Sequence, residues 1–557
     1  MRASCLLLVV VVAFGLSSAR RTPSLSLAER ARFVDPEFGE REEPGRDEGY
    51  TYLSVCEQSP GNYTLVSAID CRKQVAVGRW RNAVNTTGWT FLEIETRAEF
   101  APEVQAYAAG FLEGSLSRTL LQYSFINTVN QYCVNYTKYC QRLNAFVDEN
   151  SAWIKEQLSS QPQTDLYWQA VNRTYHQLSG MIDAYEQRDF KVGLTFERHP
   201  ILMGNLNGDF YDLERKLNKT VDSSVENGHC SGFVRNMLRV LKLYSFAFDQ
   251  AQYPGRQTSM ASYPGILYSS DDFQLNSAGL AILETTINVF NSSIYQKTQA
   301  KGQLMTWIRA NIASLLGRSA LHWCQIFEKY NSGTYNNQYF TPNKPLVDSN
   351  LIYVLEQLPG LVVYRDMTWF LRKHSYFPSY NIPYFKNVSI AAGWPAQGDR
   401  LGDWYRWGKS PRAKIFDRDQ DNVNDIDGLT KLMRYNNYQK DEFSRCNCTP
   451  PYSAEAAISA RGDLNPRNGT FQFPGQGHQN HGALDYKGTN YARFKKLRFR
   501  AWGGPTWTDV PPFRWSTFDI VRSITSIIVK MYVERLPRRP SGPLAVQLSG
   551  GGVGRTR

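Results

Sequence analysis

VENGHCSGFVRNMLRVLKLYSF, residues 225–246, sets Cys230 between Gly228-His229 and Ser231, with no second cysteine close by. Behind it Met237, Leu238, Val240, Leu241 and Tyr244 recur at a spacing that predicts an amphipathic helix over 235–246. Ahead of it, YDLERKLNKTVDSSVENGH is polar and reads as a flexible approach to the cysteine. A thiol in polar, glycine-bearing surroundings is a candidate reactive thiol.

The other cysteines sharpen that reading. Of nine in the chain, Cys5 lies in an N-terminal segment, MRASCLLLVVVVAFGLSSARR, that reads as a secretory signal over residues 1–19. Cys56 and Cys71 flank a turn leading into an alternating strand and make a candidate hairpin staple. Cys133 and Cys140 in QYCVNYTKYC make a second local pair, and Cys446 and Cys448 in RCNCTP a tight third pair that could close only with strain. Cys324 falls on an apolar helical face with Leu321 and Phe327, where a buried inert thiol is expected. Cys230 is left over.

A secretory route, ending in a lysosomal lumen or outside the cell, also fits nine Asn-x-Ser/Thr sequons, at Asn62, Asn85, Asn135, Asn172, Asn218, Asn291, Asn387, Asn447 and Asn468. The apolar stretch of the leader is too short for a membrane anchor, and IVRSITSIIVKMYV is short and interrupted by charge. The formal charge of +12 is uneven: residues 487–557 carry fourteen Lys and Arg against Asp509, Asp519 and Glu534. A nucleic-acid function for the whole protein does not follow from this local basicity. In ARFKKLRFRAW, Arg493, Lys495, Lys496, Arg498 and Arg500 alternate with Phe494, Leu497, Phe499 and Trp502, a pattern suited either to a solvated basic face or to docking on anionic lipid.

Residues 20–48 are charged and proline-bearing, a loose leader. Strand alternation follows in YTLVSAIDC, KQVAVGRW and WTFLEIETR, and helical spacing dominates 98–190. Strand signals return in TSMASYPGILYSSDDFQL, GLAILETTINVF, LIYVLEQLPGLVVYRDM and PRAKIFDRD, with helices at about 300–330 and 424–438. The tail 536–557 is rich in Pro and Gly and reads as disordered. The class is α+β, with hairpins rather than regular βαβ units.

Missing motifs narrow the chemistry. No Gly-x-Ser-x-Gly elbow, P-loop, His-Glu-x-x-His or paired Cys-x-x-Cys is present. His478, His481 and Asp485 in HQNHGALD are a weak metal pattern, and neither metal nor cofactor is expected. Arg461-Gly462-Asp463 spells an adhesion tripeptide, for which chance is the favoured reading.

SYPGILYSSDDFQLNSAGLAILETTI, NSGTYNNQY, PSYNIPYF, PRAKIFDRDQ, LMRYNNY, ISARGDLNP and GGPTW…PPFRW, with GHCS itself, together resemble the phospholipase B-like family over roughly residues 50–515. The resemblance implies an N-terminal nucleophile hydrolase of four-layer αββα fold that cuts itself at His229–Cys230. Residues 49–229 would form the light part and 230–535 the heavy part. It further implies a site lined by Thr286, Asn381 and Arg412, acting on acyl ester or amide bonds of lipids or small N-acyl molecules. Two departures stand out: after PPFRW the family's ending gives way to a basic, low-complexity tail, and the family hairpin that follows the cysteine has little room before the run MLRVLKLY, so it reads as truncated. The truncated hairpin favours a second class of function, a lipid-binding glycoprotein that retains the fold without the chemistry.

Overall fold

The structure is a computed structural model that describes residues 49–514 apart from 131, 163, 221–237, 271, 343–347 and 480. The leader, the C-terminal tail, His229 and Cys230 lie outside the described residues.

Among the described residues eleven strands pair into one sheet and two more into a ribbon. In chain order they are β1 (Thr51–Ser59), β2 (Asn62–Val66), β3 (Gln74–Ala83), β4 (Trp89–Thr96), β5 (Arg239–Ser245), β6 (Gln257–Ser262), β7 (Phe273–Asn276), β8 (Ala281–Thr286), β9 (Asn337–Pro342), β10 (Ile352–Leu358) and β11 (Leu361–Asp366); the ribbon is β12 (Asp485–Gly488) and β13 (Arg500–Gly503). The spatial order of the sheet is β11-β10-β9-β8-β7-β6-β5-β4-β3-β1-β2. All neighbours are antiparallel except β4 and β5, which run parallel with Trp89 opposite Arg239. A parallel pair needs a long crossover, and the helices between β4 and β5 supply it.

The helices used below are α1 (Pro102–Asn127), α2 (Thr137–Ser160), α3 (Leu166–Tyr185), α4 (Asn207–Lys216), α5 (Thr306–Leu316), α6 (Ala320–Glu328), α7 (Thr368–His374), α8 (Pro411–Asp419) and α9 (Ile426–Met433). α1 and α3 approach closely because glycines face each other: a Cβ on Gly110 would stand 1.8 Å from the Gln177 carbonyl oxygen. Side chains alternate between two cores, as the two-residue period of a strand requires. Ile282, Tyr353 and Leu355 join α1–α6 in one core. Ala281, Leu283, Ile352 and Val354 join Phe370, Phe377, Phe499 and Ala501 in another. The α+β class is therefore correct, with helices on one face of the sheet and a ribbon plus short helices on the other.

Two expectations are overturned. Residues 239–245 form a strand, not a helix. β5 is buried on both faces, so its apolar residues run on without a polar stripe. Its charges are also paired: Lys242 Nζ sits 2.6 Å from Glu113 Oε1, and Arg239 Nε 3.3 Å from Asp485 Oδ2. A buried strand holding paired charges imitates an amphipathic helix in sequence. Conversely, PRAKIFDRD is helix α8, not a strand. Pro411 occupies its first turn and the Ser410 hydroxyl accepts from the Ala413 amide at 3.3 Å, a capped helix start. The approach to Cys230 is also more ordered than expected at its beginning, because Tyr211–Lys216 belongs to α4.

The three expected disulfides, Cys56–Cys71, Cys133–Cys140 and Cys446–Cys448, are all present. Cys324 is buried and takes part in no disulfide among the described residues.

Candidate active site

Thr286 closes β8, Asn381 lies in the loop between α7 and the short helix Lys386–Ala391, and Arg412 stands in the first turn of α8. The fold brings all three together. Asn381 Nδ2 donates to the Thr286 carbonyl at 3.0 Å, and Arg412 donates to Asn381 Oδ1 at 2.9 Å and to the Tyr380 carbonyl at 2.6 Å. The arginine, which has donors only, fixes which end of the Asn381 amide faces it. Nδ2 must then face Thr286, and one of its two protons remains beyond that bond. Asn381 is buried, while Thr286 and Arg412 are half-buried.

Asn381 has φ +68°, the left-handed region that asparagine tolerates better than most side chains. Its loop is held from both ends. Ser379 Oγ donates to Gln338 Oε1 at 2.7 Å, and Gln338 Nε2 donates to Glu356 Oε1. The one Ser379 proton being spent, the Thr285 hydroxyl donates to Ser379 Oγ. On the other side of Asn381, the Tyr384 amide donates to Glu356 Oε1 at 2.6 Å and the Phe385 amide to Oε2 at 3.0 Å. Burial pushes the Glu356 carboxyl up to about 8, against the lowering effect of those three bonds. The Tyr380 hydroxyl accepts from the Gly408 amide at 2.6 Å and ties the loop to the segment before α8.

The sheet register relates this cluster to the cysteine. Leu241 pairs with Ala261, and Phe273 with Leu283, in one row across β5–β8. Thr286 lies three residues beyond Leu283, and Leu238 three residues before Leu241, at the same end of the sheet. The chain coming from Cys230 joins β5 at the end where Thr286, Asn381 and Arg412 meet.

Glu356, Gln338 and Ser379 were not singled out in the sequence. In the strand IYVLEQL a glutamate reads as an outward-facing position of a half-exposed strand, and its partners are distant in sequence. Only the flanking apolar residues, too continuous for a half-exposed strand, hinted that the whole of β10 is buried.

The weaker motifs disperse. His481 pairs with Glu455 at 2.7 Å, His478 meets the Asn465 carbonyl at 2.6 Å, and Asp485 is bound to Arg239 and Lys487. No group of three metal-ligating side chains occurs among the described residues. Arg461 is buried and held by Asp463 at 2.8 Å and by the carbonyls of Thr506 and Pro511, which leaves the adhesion tripeptide a structural element. Sequons Asn62, Asn135, Asn218, Asn291, Asn387, Asn447 and Asn468 are exposed, and Asn172 is half-buried. In the basic segment, Lys495 and Lys496 are exposed, whereas Arg493, Arg498 and Arg500 are half-buried and Arg500 is bonded to Asp427. Phe499 is buried in the core and the half-buried Phe494 and Leu497 pack against it, so these apolar residues are engaged in the fold rather than presented to a bilayer.

Sequence comparison adds relatives. The model of the family described as Phospholipase B matches residues 76–236 and 232–530, two stretches that meet just behind Cys230. A Caenorhabditis elegans protein named "Putative phospholipase B-like 2" is 56% identical over 513 residues, covering 87% of this chain and 88% of the relative. The Homo sapiens protein of the same name is 38% identical over 482 residues, covering 80% and 82%. The "Phospholipase B-like protein B" of Dictyostelium discoideum is 31% identical over 504 residues, covering 83% and 85%.

Proposed function

The chain belongs to the phospholipase B family, and from that premise we propose that it hydrolyses acyl ester or amide bonds of lipids through Cys230, exposed as a new N-terminus by self-cleavage within an N-terminal nucleophile hydrolase fold of αββα layers. The observation that carries this reading is the Thr286–Asn381–Arg412 cluster at the sheet end where the chain from Cys230 joins β5. The helical layer, the large sheet and the ribbon with its helices support the layered fold.

Self-cleavage proceeds as an N-to-S shift. The Cys230 sulfur attacks the His229 carbonyl carbon, and the peptide nitrogen leaves as the amine of Cys230. Water then opens the thioester, releasing the His229 carboxylate and the free thiol. The freed amine, with a reference pKa of about 7.7–8.0, takes the thiol proton in each later turnover. A lone cysteine thereby carries its own base.

In turnover the sulfur attacks the acyl carbonyl, and the second Asn381 Nδ2 proton donates to the developing oxyanion. Arg412 acts through Asn381 by holding its oxygen. The ammonium of Cys230 returns the proton to the departing alcohol or amine, and water releases the acid from the thioester. We place this activity in the secretory route or the lysosomal lumen, after removal of residues 1–19, with Lys495 and Lys496 facing anionic lipid.

A second reading follows from the short interval between Cys230 and Arg239, where β5 begins, which leaves little room for the family hairpin: a lipid-binding glycoprotein without turnover. Release of acid from a panel of fluorogenic acyl esters and N-acyl amides decides between them. Turnover lost in Cys230→Ala supports the hydrolase, whereas turnover retained in that variant refutes the nucleophile. Lipid binding by the wild-type protein with no turnover selects the second reading.

A further inference from the structure

We propose that Glu356 is a positioning residue for the candidate site, clamping the Asn381 loop directly and the Thr286 strand end through Gln338 and Ser379. The inference rests on the reading of Thr286, Asn381 and Arg412 as the site. Glu356 is fully buried near the middle of β10, with Gln338 opposite it on β9 and Val363 opposite it on β11. No salt bridge to it occurs among the described residues. A buried carboxyl without a cation is costly, and an apolar side chain would fill the same place more cheaply.

What the carboxyl provides instead is acceptors. Its two oxygens take the consecutive amides of Tyr384 and Phe385 at 2.6 and 3.0 Å, in a loop whose left-handed Asn381 keeps it out of any ladder. Those amides find in the carboxyl the partners that a ladder would otherwise supply. From the same oxygen a chain of side chains runs through Gln338 and Ser379 to Thr285, the residue before Thr286. Both sides of the Asn381–Thr286 contact therefore hang from one carboxyl group.

The test compares wild type with Glu356→Gln, which keeps shape but turns an N–H toward one of the two loop amides, and with Ser379→Ala, which cuts only the branch to Thr285. Amide hydrogen exchange is followed across the chain, and kcat and KM are measured on a fluorogenic N-acyl amide. For Glu356→Gln the expected result is at least tenfold faster exchange confined to residues 379–385, kcat down at least tenfold and KM within twofold. Ser379→Ala should show a smaller change of the same kind. Unchanged loop exchange, or faster loop exchange with wild-type kcat, overturns the proposal. Should Glu356→Gln fail to fold, Ser379→Ala alone decides by the same two criteria. If wild type turns over no acyl substrate, the hydrolase reading fails and exchange alone judges the clamp: confinement to 379–385 supports it, and an even rise across the sheet overturns it.

Discussion

Acidification from pH 7.5 to pH 5.0 should stabilise this protein. Two fully buried carboxyls set the magnitude, Glu356 pushed from 4.5 up to about 8 and Asp209 from 3.8 up to about 6, and a third, Asp212, is raised in the same direction, in each case chiefly by burial. All three folded values are raised, so between the unfolded and folded values the native state binds more protons than the unfolded chain, and stability falls as pH rises. At 1.36 kcal/mol per pKa unit, the step to pH 5.0 contributes about 3 kcal/mol from Glu356 and about 1 kcal/mol from Asp209. His176 opposes them: burial holds its imidazole below the usual range, so the unfolded chain binds its proton more readily on the acid side. With an unfolding entropy of about 2.1 cal/mol/K per residue, a gain of 4 kcal/mol in a domain this size raises Tm by about 4 °C. Differential scanning fluorimetry at the two pH values reads this directly. Glu356→Gln should remove most of the difference and Asp209→Asn a smaller part. A Tm equal or lower at pH 5.0, or an unaltered pH difference in Glu356→Gln, would refute the reasoning.

Cys230→Ala should abolish both self-cleavage and turnover, read from a denaturing gel and from acid release. Asn381→Ala should lower kcat by about 10²–10³ and also cost about 1–2 kcal/mol at its left-handed φ; Asn381→Gly keeps that backbone, so an equal kcat loss there with Tm preserved isolates the lost donor. Changing Lys495 and Lys496 to Glu should weaken co-sedimentation with anionic vesicles at low salt and leave neutral vesicles unaffected, because Phe494, Leu497 and Phe499 are engaged in the fold; binding that ignores headgroup charge would contradict this.

The sequence was legible where local chemistry and tertiary role agreed. Glycine- and proline-marked hairpins such as LEQLPGLVV announced β10 and β11, and three cysteine pairs were read from proximity alone. Thr286, Asn381 and Arg412 came from resemblance, and nothing in their spacing showed that one asparagine amide would bridge the other two. β5 was misread because burial on both faces removed the alternation, while Arg239 and Lys242 found carboxylates 246 and 129 residues away in sequence. α8 was misread because its basic and apolar residues alternate, although Ser410-Pro411 marked a helix start. Glu356 escaped notice for a related reason: its partners are backbone amides, which a sequence does not display.

The central claim is that Cys230 becomes the N-terminus of the working enzyme. Protein secreted from expressing cells and incubated at pH 5.0 should resolve on a reducing gel into two pieces, and N-terminal sequencing of the piece that begins after His229 should read Cys-Ser-Gly-Phe. A single uncut chain, or a new terminus at any other residue, would contradict it.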